Sequence, residues 1–467
     1  MYRSALIQLA IAVPAIACLL GGCSPLQPVR AASSYTSHTI CSETFISGLP
    51  AAQIYAESVA TMPAYGLIDG LVRYHVDPIK REVSTTIAGG FFSRAVYRDG
   101  LGCILVHQTA PPEAPLPKDL LAGAPTAPPS LPDIAGPARV TSVNPALEAA
   151  VDRAFAEPPQ GPPQRLTKSV VVVHDGRVIT ERYAPGYDID TPQLSFSMAK
   201  TVTNALIGIL VRDGRLAVDQ PAPVPAWRDP HDPRHGITID NLLRHNSGLA
   251  LEETGSPYDV TTRMLMFEND TAKYAEAAPL IAPIGSRWHY SSPGYAILSR
   301  IVRDAVGGNA EAVLRFARRE LFDPLGMRSV TLEFDAAGTP LGSSFFYASA
   351  RDWARLGTLY LNDGVVGGRR ILPEGWVRYS SRLTPGAFYG YAAGVWTSLA
   401  PNGPMDEQAA TGMPPGSFYA NGRLGQFILI VPSERLVVVR LGVTQAPPQG
   451  DDGSIPRLVA EVIAALH

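Results

Sequence analysis

A serine and a lysine stand three residues apart at the start of an apolar stretch. Ser197 and Lys200 are followed by apolar residues at positions 202, 205, 206, 209 and 210, the spacing of one helix face. Residues three apart are neighbours on a helix surface. A serine hydroxyl becomes a nucleophile when a base takes its proton, and a buried lysine can hold its amine neutral for that task. The alternative is a surface lysine that follows an ordinary N-cap serine.

Strand patterns open and close this part of the chain, and helical patterns fill its middle. The β-branched runs Ser169–Val173 and Val178–Tyr183 flank the turn pair Asp175–Gly176, which predicts a β-hairpin. Near the C-terminus, Phe427–Val431 and Leu436–Leu441 predict two buried strands joined by a tight turn. We therefore predict an α+β fold with one antiparallel sheet built from both ends of the domain, flanked by helices and carrying a mostly helical insertion.

The composition limits the classes of protein to which the chain can belong. The chain has 467 residues, 46% hydrophobic and 17% charged, which is enough for two or three packed domains. Its net charge of -3, without a basic block, gives no support for a nucleic-acid partner.

The N-terminus has the pattern of a targeting segment. Arg3 precedes an apolar run, Leu6–Leu20, that is too short to span a bilayer, so residues 1–22 are predicted to be a signal peptide. The sequence Leu20–Gly21–Gly22–Cys23 resembles the lipobox of bacterial lipoproteins. The resemblance implies a lipid on Cys23 that anchors the protein to a membrane of the cell envelope, and Ser24 favours the outer membrane, facing the periplasm. An ordinary signal peptide with a chance cysteine is the alternative.

The cysteine count agrees with an oxidising compartment. Cys18 lies in the removed segment and Cys23 is the lipidation candidate. Cys41 and Cys103 then remain as an even pair, which predicts one disulfide, with free buried thiols as the alternative.

Composition also divides the mature chain into four segments. We predict a polar tether over 23–40, a small disulfide-clipped accessory domain over 41–109, a Pro- and Ala-rich linker over 110–140, and the main domain over 141–467. The accessory domain shows no catalytic constellation. Its few histidines and acidic residues lack metal-ligand spacing, so we predict no metal and no organic cofactor.

Three blocks of the main domain, each weak alone, become specific through their order. Ser197–Met198–Ala199–Lys200 matches the pattern S-x-x-K, Tyr290–Ser291–Ser292 follows, and Ala420–Asn421–Gly422–Arg423–Leu424–Gly425 stands near the end. With the loop 242–249, these blocks make residues 141–467 resemble the serine β-lactamase-like hydrolases. The similarity is to the group of class C β-lactamases, esterases and 6-aminohexanoate-dimer hydrolases, and it implies the β-lactamase/transpeptidase-like fold.

The resemblance also implies roles for three side chains. Ser197 would be the acylated nucleophile, Lys200 its base, and Tyr290 a general acid and base. A phenol suits that role if Lys200 lowers its pKa from about 10. The alternative for Tyr290 is a buried aromatic ring whose hydroxyl is merely hydrogen-bonded.

The third block would supply the oxyanion hole and substrate contacts. The backbone N–H groups of Ser197 and Arg423 would bind the oxyanion, and Gly422 would let the strand approach closely. The resemblance assigns Ser292, Asn421 and Gly425 to the same oxyanion and substrate-binding set. The alternative for Asn421–Gly422 is a plain hairpin turn.

Two departures from the family pattern bear on the substrate. Ser292 replaces the asparagine that β-lactamases keep, and Ala420–Asn421 replaces the Lys-Thr pair that meets a substrate carboxylate. We therefore expect a serine hydrolase that acts through an acyl-enzyme on a small ester or amide. The alternatives are a penicillin-binding protein, DD-peptidase or β-lactamase, and an inactive binding protein tethered to the envelope.

Overall fold

The structure is a computed structural model. It describes residues 26–62, 65–107, 116–121, 128–159, 164–387, 390–397, 413–445 and 454–467. The signal segment 1–22 and the lipidation candidate Cys23 lie outside the described residues and stay predictions. Across the described ranges, no helix has both the length and the hydropathy needed to cross a membrane.

Helices and strands alternate along the chain in several runs. The helices are α1 Gln27–Phe45, α2 Ala51–Ile54, α3 Lys118–Leu121, α4 Pro145–Phe155, α5 Ala199–Arg212, α6 Ile239–Leu243, α7 Val260–Phe267, α8 Thr271–Glu276, α9 Ser292–Val306, α10 Ala310–Ala317, α11 Asp323–Leu325, α12 Ala350–Leu361, α13 Trp376–Ser381 and α14 Ser454–Leu466. The strands are β1 Val72–Asp77, β2 Glu82–Ile87, β3 Phe91–Arg98, β4 Gly102–Leu105, β5 Thr167–His174, β6 Arg177–Tyr183, β7 Gln193–Leu194, β8 Val330–Leu332, β9 Phe346–Ala348, β10 Val365–Val366, β11 Arg369–Arg370, β12 Trp396–Thr397, β13 Phe418–Gly422, β14 Gln426–Val431 and β15 Leu436–Gly442.

The main sheet confirms the prediction of an α+β fold built from both ends of the domain. Its strand order is β12-β13-β14-β15-β5-β6, and all neighbours are antiparallel. The C-terminal β15 pairs with β5, with Val438 opposite Val172. Asp175 and Gly176 both have positive φ, as a type I′ hairpin turn requires.

Both faces of this sheet are covered, which explains why β5 is a continuous run of valines. Val171 and Val173 belong to the core under helix α12, whereas Val170 and Val172 face α4 and α14. Side chains alternate between the faces of a strand, so a strand that is buried on both faces reads as uniformly apolar. Helices α5 and α9 pack together in the helical insertion and bring the first two sequence blocks close to the sheet.

The N-terminal residues correct the prediction of a tether over 23–40. Helix α1 begins at Gln27 and packs on the antiparallel sheet β1-β2-β3-β4. Its buried face is polar and is held by hydroxyl hydrogen bonds, such as Ser33 Oγ to Phe91 O at 2.9 Å and Ser37 Oγ with Ser93 Oγ at 2.8 Å. Burial of these serine hydroxyls is tolerated because they find partners.

The same helix joins the N-terminal unit to the main domain, so residues 41–107 do not stand apart as an accessory domain. The carboxylate of the fully buried Glu333 accepts hydrogen bonds from Ser42 Oγ and from the Cys103 N–H, both at 2.7 Å. His38 Nε2 lies 3.2 Å from the other carboxylate oxygen. Apolar residues of the unit, Ile40 among them, belong to the same core as the main domain.

The described part of the linker, 116–121 and 128–140, is also more ordered than its composition predicts. Leu131 and Ile134 are buried in the common core. The Ile134 carbonyl accepts from the Val178 N–H at 2.8 Å, and the Pro324 carbonyl accepts from the Leu131 N–H at 2.9 Å. Two apolar anchors are therefore enough to fix a stretch that is otherwise rich in proline.

The structure contains the predicted disulfide between Cys41 on α1 and Cys103 on β4. We expect replacement of both cysteines by alanine to lower the free energy of unfolding by about 2–4 kcal/mol, because the bond closes a loop of 62 residues in the unfolded chain. Urea unfolding of the mature protein measures this loss. The reduced wild type is the control and should show a similar loss, and equal stability of all three forms would contradict the prediction.

Candidate active site

Ser197 lies in a short turn between strand β7 and helix α5. The turn is a 3-10 helix over Phe196–Met198, so the serine precedes the α-helix by two residues. Phe196 has a φ of 45°, a left-handed conformation that bulky residues rarely adopt. The Ser195 N–H donates to the Phe346 carbonyl at 3.0 Å, which fixes the turn against β9. Backbone strain is thus held next to the candidate nucleophile.

Lys200 is the centre of the hydrogen-bond network behind this serine. Its side chain is almost fully buried, and Nζ donates to Ser197 Oγ at 3.1 Å, to Ser292 Oγ at 2.9 Å and to the Ser343 carbonyl at 2.9 Å. Burial lowers the pKa of the amine from 10.5 to about 8, and the Glu253 carboxylate partly opposes that shift. With a pKa of about 8, about a tenth of the amine is neutral at pH 7 and most of it is neutral above pH 8, and this neutral form can accept the Ser197 proton.

Tyr290 is the third residue of the site and lies beside Ser197 and Lys200. Its hydroxyl is near enough to the Ser197 side chain for that side chain to lower the pKa of the phenol slightly. The Lys200 ammonium lies over the ring face, with Nζ 4.8 Å from the ring centroid. The Trp396 ring stacks on Tyr290 at 5.7 Å and fixes its orientation. The structure therefore brings together the three residues that the sequence singled out.

The protonation of this phenol differs from the prediction that Lys200 lowers its pKa. Burial raises the pKa of Tyr290 well above 10, and Tyr391 and Glu253 raise it further. A buried phenolate would lose its hydration, and this cost outweighs the attraction of the Lys200 cation that lies over the ring. Tyr290 accordingly keeps its proton and is suited to donate or relay one.

Ser292 contacts the lysine, while its predicted place in the substrate-binding set stays a prediction. The side chain is buried and Oγ accepts from Lys200. Its backbone N–H, at the start of α9, donates to the Glu253 carboxylate at 3.0 Å. Ser291, the N-cap of α9, accepts from the Gly294 N–H at 3.1 Å. Helix α9 thereby fixes the position of the second block.

The third block lies beside the nucleophile turn, as the sequence predicts. Asn421 and Gly422 end strand β13, and a Cβ on Gly422 would stand 2.1 Å from the Ser195 carbonyl oxygen. Only glycine allows this approach of the strand to the turn. Arg423 follows directly and is exposed, with its side chain at the cavity above Ser197.

The hairpin turn itself lies one step further along the chain than the pair Asn421–Gly422. Gly422 pairs with Gln426, and Leu424 and Gly425 have φ values of 63° and 81°. The Gly425 carbonyl accepts from Arg440 Nη1 at 2.7 Å. The known contact of Gly425 is thus structural, while its proposed contact with substrate stays a prediction.

A cavity of about 470 Å³ opens above Ser197. Its size is that of a small-molecule site. Helix α1 lines one side, residues of α7 line the other, and Glu253 and Arg423 bring charge to it. No group of three or more His, Cys, Asp or Glu side chains in the described segments is arranged to hold a metal ion.

Two further residues, Glu253 and His245, belong to the surroundings of Lys200 and Tyr290. Glu253 lies in an irregular loop and has no motif that marks it, yet it contacts α9 and influences Lys200. His245, in the loop 242–249, packs among aromatic rings. Its ring lies 4.8 Å from that of Tyr290 and 4.4 Å from that of Tyr391, and burial lowers its pKa well below 6.5, so the ring is neutral.

The pKa of Lys200 gives the site a pH dependence. If the neutral amine is the base, kcat/KM for an uncharged ester should rise with pH and level off above about 8, because that is the pKa of the free enzyme's amine. The protonated phenol of Tyr290 adds no inflection in this range. A pH–rate profile between pH 6 and 10 measures the inflection.

Glu253→Gln is the matched variant for this profile. The carboxylate raises the pKa of Lys200, so its neutral replacement should move the inflection to lower pH. A profile that falls as pH rises through 8, or an inflection that moves upward in the variant, would count against Lys200 as the base.

Comparison with known proteins agrees with this arrangement of blocks. The family model described as Beta-lactamase matches residues 151–464. A 6-aminohexanoate-dimer hydrolase from Paenarthrobacter ureafaciens is 25% identical over 290 residues, which cover 60% of this chain and 73% of that protein.

Two solved structures share the fold. A penicillin-binding protein homologue from Caulobacter crescentus superposes with a TM-score of 0.53 at 19% identity, over 70% of this chain and 99% of the other. A family VIII carboxylesterase gives a TM-score of 0.52 at 14% identity, again over 70% and 99%. The family match begins after the N-terminal unit, which adds α1 and β1–β4 to the shared domain.

Proposed function

The chain belongs to the β-lactamase family, and we propose that it is a serine hydrolase that acts through an acyl-enzyme on a small ester or amide. The observation that carries the proposal is the contact of the Lys200 amine with Ser197 Oγ at 3.1 Å, together with the pKa of about 8 for that amine. The relatives named hydrolases and esterases support the reaction class.

In the acylation half-reaction, Ser197 Oγ attacks the carbonyl carbon and its proton passes to the neutral Lys200 amine. The substrate oxygen becomes an oxyanion, which the backbone N–H groups of Ser197 and Arg423 would bind. The bond to the leaving group then breaks. Tyr290 donates its proton to that group and regains one from the Lys200 ammonium, so the site ends neutral with an ester on Ser197.

In the deacylation half-reaction, a water molecule attacks the same carbonyl carbon. Its proton passes to the Lys200 amine, directly or through Tyr290, and the second tetrahedral intermediate uses the same oxyanion site. Ser197 leaves as its alcohol after it recovers the proton. The products are a carboxylic acid and the alcohol or amine released in the first half.

The substrate class follows from what the third block lacks. Ala420 and Asn421 stand where a Lys-Thr pair would meet a carboxylate, so a β-lactam or a D-Ala-D-Ala end has no lysine partner there. Arg423 is the cation closest in sequence to that place. A fluorescent penicillin that labels the wild type at low concentration would favour the penicillin-binding alternative over the esterase.

A fluorophosphonate probe tests the nucleophile. We expect the probe to label the wild type covalently and to leave Ser197→Ala unlabelled, because the probe reacts only with an activated serine hydroxyl. Ser195→Ala is the control, since Ser195 is buried two residues away and its hydroxyl donates to the Phe196 carbonyl. Equal labelling of wild type and Ser197→Ala would contradict the proposal. Absence of labelling and of turnover on esters and amides would favour the binding-protein alternative.

A further inference from the structure

Helix α1 lies outside the matched family domain and yet forms part of the catalytic cavity. Val29, Ala31, Ala32 and Tyr35 line the same space as Ser197. The helix is held there by the Cys41–Cys103 disulfide and by the hydrogen bonds to β3 and Glu333 described above. At its first turn, Gln27 Nε2 donates to the Pro257 carbonyl at 3.3 Å, across the cavity mouth. The wall is therefore part of a rigid structure.

The residues that line the cavity are mostly apolar. Ala32 of α1, Met62 and Leu67 of the following segment, and Leu265 and Met266 of α7 belong to this lining, and α1 and α7 also contact each other. Phe345 lies with Ser197 at the inner end. Ala31 and Ala32 have small side chains, so they leave space in the cavity that a longer side chain at either position would fill.

The acidic groups of the cavity are already engaged by the protein. Glu253 accepts from the Ser292 N–H at 3.0 Å, and Asp259 caps α7 by accepting from the Thr262 N–H at 2.8 Å. Asp259 also accepts from the Gly255 N–H at 2.8 Å. Carboxylates held in this way do not require a cationic substrate, and apart from Arg423 the remaining lining favours an uncharged chain.

Apolar residues continue from the cavity to the surface of the protein. Leu67 lines the cavity and is 86% exposed, and Leu26 and Tyr258, next to the cavity mouth in sequence, are 47% and 40% exposed. Exposed apolar side chains beside a cavity are typical of a place where apolar material enters or binds.

We propose that helix α1 and the segment after it form the binding wall for an apolar chain of the substrate. The substrate class is then an ester or amide of an unbranched fatty acid, whose chain lies between α1 and α7 while its carbonyl reaches Ser197. This inference rests on the proposed hydrolase function and adds to it the kind of acyl chain that the cavity would bind.

Turnover of two p-nitrophenyl esters tests the inference. The wild type should hydrolyse the decanoate with a kcat/KM at least about tenfold above that of the acetate, because apolar contacts in a fitted pocket give this order of discrimination. Ala32→Phe should fill the pocket and lower kcat/KM for the decanoate about tenfold or more while it changes that for the acetate little. Leu265→Phe should act in the same direction from the opposite wall.

Arg30→Phe is the matched control, since it places the same side chain on an exposed position of the same helix. It should leave the ratio of the two esters unchanged, and thermal unfolding checks that all variants are folded. A wild type that prefers the acetate, or an equal loss on both esters in folded Ala32→Phe, would overturn the inference while fluorophosphonate labelling of Ser197 leaves the hydrolase function intact. Failure of labelling and of turnover on both esters would overturn both.

Discussion

Replacement of Lys200 by methionine is expected to lower kcat/KM for ester hydrolysis by about 10³-fold while the protein stays folded, since general-base catalysis contributes factors of about 10²–10⁴. The variant keeps the length of the side chain and removes the amine that contacts Ser197 Oγ. A buried amine is costly to desolvate, so the apolar replacement should leave the free energy of unfolding unchanged or raise it. Steady-state kinetics and thermal unfolding measure the two effects.

Lys168→Met is the matched control for this variant. Lys168 is also buried, and its Nζ lies 2.8 Å from the Glu57 carboxylate. Its loss leaves Glu57 without that partner, so stability should fall while kcat/KM of the folded protein stays close to the wild type. If both lysine variants lost activity to the same degree, Lys200 would have no special part in the chemistry.

Replacement of Gly422 by alanine is expected to lower kcat by about 10²–10³-fold, the effect of losing one oxyanion donor. The added methyl would stand 2.1 Å from the Ser195 carbonyl oxygen and 3.2 Å from Phe196 Cβ, so strand and turn must separate. The proposed oxyanion donors, the N–H groups of Ser197 and Arg423, move apart with them. Kinetics with a single ester, at saturating and at low concentration, separates kcat from KM.

Gly357→Ala provides a control for simple crowding. A methyl there would stand 2.5 Å from Val437 Cγ1, inside the core between α12 and β15. It should cost about 1–3 kcal/mol of stability, as overpacking does, without changing kcat of the folded fraction. Loss of kcat only in proportion to unfolding, in both glycine variants, would remove Gly422 from the oxyanion site.

The parts of the fold that follow a periodic apolar pattern could be predicted from the sequence. The hairpin around Asp175–Gly176 is such a part, because two residues with positive φ are required and the turn sequence provides them. The C-terminal strands are another, since a strand buried on both faces is apolar throughout. Ser197, Lys200 and Tyr290 could be assigned to one catalytic site because their order along the chain resembles a family pattern.

Helix α1 could not be predicted in this way, because its buried face carries serine, threonine and histidine. Its hydroxyls are satisfied by strands far along the chain, as with Ser33 and Phe91, and local propensity contains no trace of such partners. The contact of Glu253 could not be predicted either, because its partner, the Ser292 N–H, lies 39 positions further along the chain. The pKa of Tyr290 depends on the direction from which Lys200 approaches the ring, and spacing in sequence does not fix a direction.

The bond between Ser42 and Glu333 has a consequence for the biogenesis of the protein. The two residues are separated by 291 positions, so α1 leaves the ribosome long before its buried partner is made. Contacts at such separation form late and slow the folding of a chain. A helix with an apolar face would invite aggregation while a buried partner is missing, whereas a face rich in hydroxyls can stay hydrated until Glu333 has been made. The polar face of α1 therefore suits a segment that is synthesised long before one of its buried partners.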